Sequence, residues 1–350
     1  MVPFAAGMDA SAGAPIYERH RPEQTLLYQL VEQHYPAFVT QLAAEGKVLP
    51  GYVHQEFEAY LKCGRLEHGF LRVQCDSCHN EQLVAFSCKR RGFCASCGAR
   101  RMAESAALLV DEVLPHRPMR QWVLSVPHPL RYLFASQPKV MGKVLGIVYR
   151  TLATHLIHKA GYKKSEAHTG AVTLIQRFGG ALNLNIHFHM IFLDGVYVDR
   201  GGKLDRFRWV KEPTTEELSQ LTHTIAYRIG RYLEREGLLV RDAEHSYLAL
   251  DEPDEDPMNQ LQGHSITYRI AVGPHQGRKV FTLQTLPGTE EPFIADGVAG
   301  FSLHASVAVK ASERKKLERI CRYISRPAVS EKRLSLTRQG KVRYQAGRPR

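Results

Sequence analysis

The sequence predicts an α+β protein, with a helical, cysteine-bearing N-terminal module ahead of a domain built on a mainly antiparallel central sheet flanked by helices. Three observations predict it. Beyond Pro118, short apolar runs rich in β-branched residues alternate with stretches of helical period. Two of those runs, Ala171–Phe178 and Asn183–Leu193, are separated by the turn signal Gly179-Gly180, so a hairpin is the economical arrangement. Six of the seven cysteines crowd between Cys63 and Cys97, ahead of that domain.

In chain order, Pro22–Ala44 carries Leu26, Leu27, Leu30, Val31, Phe38 and Leu42 at helical spacing and ends at Gly46 and Pro50. A second short helix passes through Phe57, Tyr60 and Leu61. Ala99 to Leu114 reads as a helix stopped by Pro115 and Pro118. Gln121–Val126 reads as a strand, Pro127-His128-Pro129 as a turn and Val140–Ala160 as a long amphipathic helix. Thr214 followed by Glu217 forms a capping-box signature for a helix to Glu236. Asp251–Pro257 is an acidic, proline-broken loop. His264–Val272, Arg278–Leu286 and Phe301–Val309 read as strands, and a last helix follows Ser312 as its cap. These boundaries divide the chain into a helical segment (1–65), a cysteine module (66–115), a large α+β domain (116–328) and a basic tail (329–350).

A chain of 350 residues with 44% hydrophobic composition can bury a sizeable core in two or three folding units. No basic region followed by an apolar run opens it and no segment reads as a membrane span, so a cytoplasmic protein without membrane contact is expected. The net charge is +12, and fourteen Lys/Arg stand against three Asp/Glu from Lys310 to Arg350, so nearly all the excess is terminal. A polyanion, and nucleic acid first among polyanions, is the partner that such a segment fits.

Uneven cysteine spacing in a chain expected to be cytoplasmic argues for metal rather than disulfides. Cys75-x-x-Cys78 and Cys94-x-x-Cys97, fifteen residues apart, fit a four-thiolate structural zinc site, because each knuckle presents two thiolates to one ion. Cys88 lies between the knuckles, and Cys63, His68 and His79 lie near, which leaves ligand exchange or a second site open. Lys89, Arg90, Arg91, Arg100 and Arg101 surround these loops and could follow a phosphate backbone.

On the strand 183–193, His187 and His189 project to one face, and Ile186, Phe188, Met190 and Phe192 to the other. With 17 His in the chain, a His-x-His pair arises by chance roughly once, so the pair by itself reads first as two histidines hydrogen-bonded on a half-exposed strand. The hairpin would bring Gln176 or a near neighbour beside it. Tyr323 sits on the last helix, off the stripe formed by Leu317, Ile320, Cys321 and Ile324, with Lys316, Arg319, Arg322 and Arg326 around it. A phenol becomes a useful nucleophile when surrounding charge favours its phenolate or a divalent metal activates its target. No Walker-type loop occurs, so no nucleotide cofactor is expected.

The two knuckles, the run Phe86-Ser87-Cys88-Lys89-Arg90-Arg91-Gly92-Phe93, Gln176-Arg177-Phe178-Gly179, His187-Phe188-His189 and Arg322-Tyr323-Ile324-Ser325-Arg326-Pro327, in that order, resemble the zinc-binding HUH (His-hydrophobic-His) transposases of rolling-circle insertion sequences. The likeness covers roughly residues 20–340. It implies an HUH-endonuclease-like domain and a single-strand DNA nuclease and strand transferase acting at element ends. It further implies that His187 and His189 bind Mg²⁺ or Mn²⁺, with Gln176 or His304 as third ligand, and that Tyr323 forms a 5′-phosphotyrosine. Some relatives carry two tyrosines four residues apart, whereas Arg319 holds the earlier position here, which implies a single-tyrosine version. Relatives continue past this region, so the basic tail is expected to be a shortened C-terminal region. The competing readings are a zinc-ribbon DNA-binding protein without nuclease activity and a metal-dependent nuclease that uses water.

Overall fold

A computed structural model describes residues 20–90, 92–199, 204–241, 246–248, 256–280 and 300–345. A 3-10 turn at Pro22–Gln24 leads into helix α1 (Leu26–Ala44), whose N-cap Thr25 accepts a hydrogen bond from the Tyr28 N–H. That contact satisfies one of the donors that every helix start leaves unpaired. Helix α2 (Gly51–Lys62) packs on α1 through aromatic rings. Tyr35 stacks on Phe57 with centroids 4.3 Å apart, and Phe93 closes against Phe57 and Tyr60. An antiparallel hairpin follows, β1 (Phe70–Gln74) with β2 (Glu81–Ala85), and then helix α3 (Ala95–Leu108), which continues through a π-helical turn at Leu109–Val113.

The remainder runs β3 (Met119–Ser125), α4 (His128–Ser136), α5 (Pro138–Lys159), β4 (Ala167–His168), β5 (Ala171–Phe178), β6 (Leu184–Leu193), β7 (Gly195–Asp199), β8 (Leu204–Trp209) and α6 (Thr215–Arg235). It continues with β9 (Leu239–Arg241), β10 (Ser246–Leu248), α7 (Pro257–Ile266), β11 (Ser302–Val309), α8 (Arg314–Ile324), β12 (Leu334–Leu336) and β13 (Val342–Tyr344). The central sheet has the order β11-β3-β6-β5 and is antiparallel throughout. Strands β4, β7 and β8 form a second small antiparallel sheet.

Strand alternation gives the central sheet two different faces. Trp122, Leu124, Ile186, Phe188, Met190 and Phe192 lie on one face, all fully buried under α4, α5 and α6. The opposite face carries Met119, Ile191, Leu193 and Val309, which pack against α3, the π turn and α8 through Ala106, Val110, Leu317, Cys321 and Ile324. His187 and His189 belong to this second face. Arg120 and Asp194 form a buried bidentate pair at 2.8 and 3.0 Å, and the same guanidinium donates to the Ala305 carbonyl at 2.8 Å, which joins β3, the end of β6 and β11.

Several expectations are corrected. The segment expected as a strand at His264–Val272 is instead entered by α7, because Asp256 accepts from the Met258 N–H and Pro257 occupies the first helical turn. Pro127 likewise ends strand β3 and opens α4 rather than a bare turn. Ser312 does not cap α8. Glu313 holds the N-cap position, and its carboxylate accepts from the Lys310 N–H at 2.8 Å. The segment expected as a tail folds in part into the β12–β13 hairpin beside α1. Helix α5, at 22 residues, does reach membrane-spanning length, but Val144, Val148, Leu152 and Leu156 on it are buried in the core. Of the strand expected at 278–286, residues 281–286 lie outside the described residues.

Candidate active site and cysteine cluster

Four cysteines converge, though not the expected four. Cys63, Cys88, Cys94 and Cys97 place their sulfurs all within 4.8 Å of one another. Three of the separations are 3.6 Å (Cys63–Cys97), 3.5 Å (Cys88–Cys97) and 3.8 Å (Cys63–Cys94). A tetrahedral zinc with sulfur ligands at about 2.3 Å requires sulfurs about 3.8 Å apart, so the donor set and its spacing fit a closed structural site. Mutual hydrogen bonding divides the thiols: contact with Cys88 holds Cys63 low, at about 7, while contact with Cys63 pushes Cys94 up. A divalent ion would remove that opposition by neutralising thiolates.

Cys75 and Cys78 are corrected out of this cluster. They sit exposed at the tip of the β1–β2 hairpin, where Gln74 pairs with Glu81, and the extended hairpin carries them away from its base. Cys63 caps the C-terminal end of α2 and Cys88 follows β2, so both flank the base of the hairpin and meet the Cys94–Cys97 knuckle at the start of α3. A boundary at residue 65 therefore cuts through the site.

The histidine pair is assembled by strand register. Ser125, His187 and Gln176 stand side by side across β3, β6 and β5, and Val123, His189 and Leu174 form the next row. The two imidazole centroids are 4.9 Å apart. His187 Nδ1 lies 2.7 Å from the Asn185 carbonyl oxygen, which fixes its proton there and leaves Nε2 as a lone pair. Gln176 donates through Nε2 to the Ile324 carbonyl at 2.9 Å and, more weakly, to that of Tyr323 at 3.4 Å. Its Oε1 consequently faces His187 Nε2 at 3.1 Å, so two electron-pair donors confront each other. His189 Nε2 is buried with no hydrogen-bond partner, while its Nδ1 lies 2.9 Å from the Gln121 amide. Turned with its oxygen to Nδ1, that amide would leave the orphaned Nε2 as a lone pair. Burial lowers the pKa of both rings, that of His189 to about 3 with help from His187 and Arg326, so both are neutral imidazoles at physiological pH. Facing lone pairs and a buried orphan nitrogen are a donor set that a divalent cation would satisfy.

Tyr323 stands over this pair from α8. Its ring centroid is 6.1 Å from that of His189 in an edge-on arrangement, and the Arg326 guanidinium lies 4.2 Å from the tyrosine ring. The tyrosine is 44% exposed, while Leu317, Cys321 and Ile324 anchor its helix. His304, the other candidate third ligand, is exposed on β11, two strands from β6 and so about 10 Å from the His189 position by strand spacing. The structure brings Gln176 to His187.

The basic residues divide. Arg326 lies against the tyrosine ring, whereas Arg319 turns back to donate to the Lys315 carbonyl at 3.4 Å, Arg322 pairs with Glu318 at 2.7 Å and Lys316 with Glu313 at 3.7 Å. Arg101 donates to the Lys89 carbonyl, and Lys89, Arg90 and Arg100 are exposed beside the cysteine cluster. Arg91 lies outside the described residues. Two features escape sequence reasoning. Gln121 as the partner of His189 could have been found by counting alternate positions on the expected strand. The seating of Gly98 on Pro327, where an added Cβ would come within 2.8 Å of the proline Cβ, has no sequence signal.

Comparison with known proteins gives two matches. Residues 170–350 match the Y2_Tnp transposase family model, and residues 30–126 match the IS91 transposase zinc-binding domain. The second match spans all four convergent cysteines. No curated protein and no solved structure matches the chain.

Proposed function

We propose, from the premise that this chain belongs to the Y2_Tnp transposase family and carries an IS91-type zinc-binding domain, that it nicks and rejoins single-stranded DNA at insertion-sequence ends through a covalent 5′-phosphotyrosine on Tyr323. The reading is of an HUH-endonuclease-like domain working in the cytoplasm in a rolling-circle manner, with a single tyrosine. The observation that carries it is the bridge made by Gln176, which touches His187 with its oxygen and the carbonyls of Tyr323 and Ile324 with its nitrogen. One side chain thereby sets the distance between the histidine pair and the tyrosine helix.

His187, His189 and Gln176 would hold Mg²⁺ or Mn²⁺, which supplies Lewis-acid polarisation of a phosphate oxygen when bound. Tyr323 Oη attacks the scissile phosphorus. The Oη–P bond forms, the P–O3′ bond breaks, and the phenol proton ends on the departing 3′ oxygen. Arg326, against the tyrosine ring, places positive charge where the phosphoryl oxygens gain charge. Rejoining is the reverse attack by a 3′-OH on the phosphotyrosine, so the phosphodiester energy is stored in the adduct and no nucleotide is consumed. Arg100, Arg101, Lys89 and Arg90 beside the cysteine cluster extend the DNA path along α3, which packs on α8.

The test is a denaturing gel of the full chain incubated with labelled single-stranded element ends and Mn²⁺. The expected result is a slow protein–DNA adduct that disappears in Tyr323→Phe and in His189→Ala. Cleavage without an adduct identifies a nuclease that uses water. Binding with neither cleavage nor adduct identifies a DNA-binding protein, and both results overturn the proposal.

A further inference from the structure

The face of the central sheet opposite the histidine pair carries α5 and α6, and their outer sides form a cleft of about 580 Å³. Its lining is strongly basic. Arg150 comes from α5, Arg228, Arg231 and Arg235 come from α6, and Glu234 is the one carboxylate among the lining residues. All four arginines are exposed, and Tyr227 beside them is 65% exposed. Neither the fold nor the histidine–tyrosine site explains this composition. Arg228 reaches Thr151 at 3.1 Å and Arg235 lies over the Tyr232 ring, but the core beneath is sealed by Ile225, Ile229 and Leu233 without them.

Exposed arginines from two helices, converging on one concavity with an uncovered aromatic ring, fit a flexible polyanion that also offers flat π faces. Arg231 and Arg235 are one helical turn apart, about 6 Å along the axis, so they can address successive phosphates of one strand. Arginine forks match phosphate geometry, and a tyrosine ring stacks any base without reading its sequence. A duplex keeps its bases stacked inward and would leave Tyr227 without a partner.

We propose that the α5–α6 cleft is a second nucleic-acid site that grips single-stranded DNA, through phosphates on Arg150, Arg231 and Arg235 and a base stacked on Tyr227. The central sheet separates it from Tyr323, so it holds a different segment of DNA from the one being cleaved. The inference rests on the reading of this chain as a DNA-processing transposase, and it holds strand flanking the cleaved position or a second strand awaiting joining.

The experiment measures binding of a fluorescein-labelled 40-nucleotide single strand to the full chain by anisotropy across a salt series, for wild type, the double variant Arg150→Glu/Arg231→Glu and Tyr227→Ala. All three positions are on exposed helix surface, and equal thermal melts establish folding. Should the double variant melt early, Arg150→Gln/Arg231→Gln takes its place. Loss of two phosphate contacts makes the slope of log affinity against log salt shallower by about 1.4, at roughly 0.7 per phosphate of a single strand. Loss of the stacked base weakens binding by between about 5-fold and 150-fold. Adduct formation with a 12-nucleotide strand centred on the cleavage position is expected to stay unchanged in all the variants. An unaltered slope and affinity in the double variant overturn the site. Equal weakening for a 40-base-pair duplex with no effect of Tyr227→Ala overturns the single-strand assignment in favour of a general polyanion surface. Failure of wild type to form any adduct overturns the nuclease reading alone, because the anisotropy series reads the cleft without cleavage.

Discussion

Replacing Cys88 with serine separates the metal site drawn by the fold from the one that motif spacing indicates. Cys88 Sγ lies 3.5 Å from Cys97 Sγ, and the four sulfurs of the cluster are mutually within 4.8 Å. A zinc–sulfur bond of about 2.3 Å demands sulfurs about 3.8 Å apart, so an ion fits there with little movement of the chain. Serine removes one thiolate from a closed tetrahedron. Changing an outer partner of a metal site already costs about 10–100-fold in affinity, so loss of a direct ligand is expected to exceed 100-fold. Cys75→Ser and Cys78→Ser, at the exposed hairpin tip, are expected to leave affinity within about threefold of wild type, since single surface substitutions perturb folding little.

The assay is zinc content by elemental analysis together with competition against a chromophoric chelator. Wild type, Cys75→Ser and Cys78→Ser should carry one tightly held zinc per chain, and Cys88→Ser and Cys63→Ser should surrender it. The thermal melt should fall in parallel, because Tyr28, Tyr60, Cys63, Cys94 and Cys97 form one small core that the ion would close. Retention of zinc at wild-type affinity in Cys88→Ser, together with its release from Cys75→Ser, would refute the cluster and restore the two-knuckle site.

Three further outcomes are expected. Gly98→Ala drives a Cβ to 2.8 Å from the Pro327 Cβ, and an overpacking cost of about 1–3 kcal/mol outweighs roughly 1 kcal/mol of helix propensity. Urea melts should show a small net loss, and a more stable variant would mean that the α3–α8 contact has room. Asp194→Ala strands the buried Arg120 guanidinium and should cost about 3–5 kcal/mol, while Arg120→Met/Asp194→Leu recovers much of it. Equal losses in both would show that the charge pair itself is needed. The buried imidazoles bind protons less readily in the folded chain than in the unfolded one. Stability is therefore fully present above the ordinary histidine value near 6.5 and falls as pH drops from there toward 3. Denaturation series at pH 7.5, 5.5 and 4.5 should show wild type losing up to about 1.4 kcal/mol per pH unit more than His189→Asn, and parallel lines would rule out a buried neutral His189.

What the sequence made legible follows from what its patterns encode. Alternation on β6 separates Phe188 from His187 and His189 without any tertiary information, and the Gly179-Gly180 turn fixes the partner strand that puts Gln176 opposite His187. The capping box at Thr214 and Glu217 forms as the spacing indicates, because both halves of the motif are local. The zinc ligands were harder to read. C-x-x-C spacing shows that two thiols can share an ion but not which pairs meet, and the β1–β2 hairpin decides that by carrying Cys75 and Cys78 outward. Cys63 and Cys88, with no knuckle of their own, become neighbours only because the hairpin brings its two ends together. Helix α7 escaped for a similar reason: the acidic run before it looks like a loop, yet its last carboxylate, Asp256, is the cap.

The cysteine cluster and the tyrosine are parts of one mechanical arrangement although they belong to different elements of the fold. Helix α3 starts inside the cluster, with Cys94 at its N-cap and Cys97 in its first turn, so the ion's position would fix where that helix begins. The next residue, Gly98, rests on Pro327, immediately beyond the arginine that covers the tyrosine ring, and farther along α3 Ala106 packs with Leu317, Cys321 and Ile324. Helix α8 is thus set from one side by α3 and from the other by the Gln176 amide on the carbonyls of residues 323 and 324. Packed interiors transmit displacement rather than absorb it. A shift of the cysteine cluster would therefore move the Tyr323 phenol relative to the histidine pair. On the proposed reading of Tyr323 as nucleophile, an ion held by the four cysteines therefore bears on the chemistry, because a misplacement of about 1 Å can cost roughly 100-fold in rate.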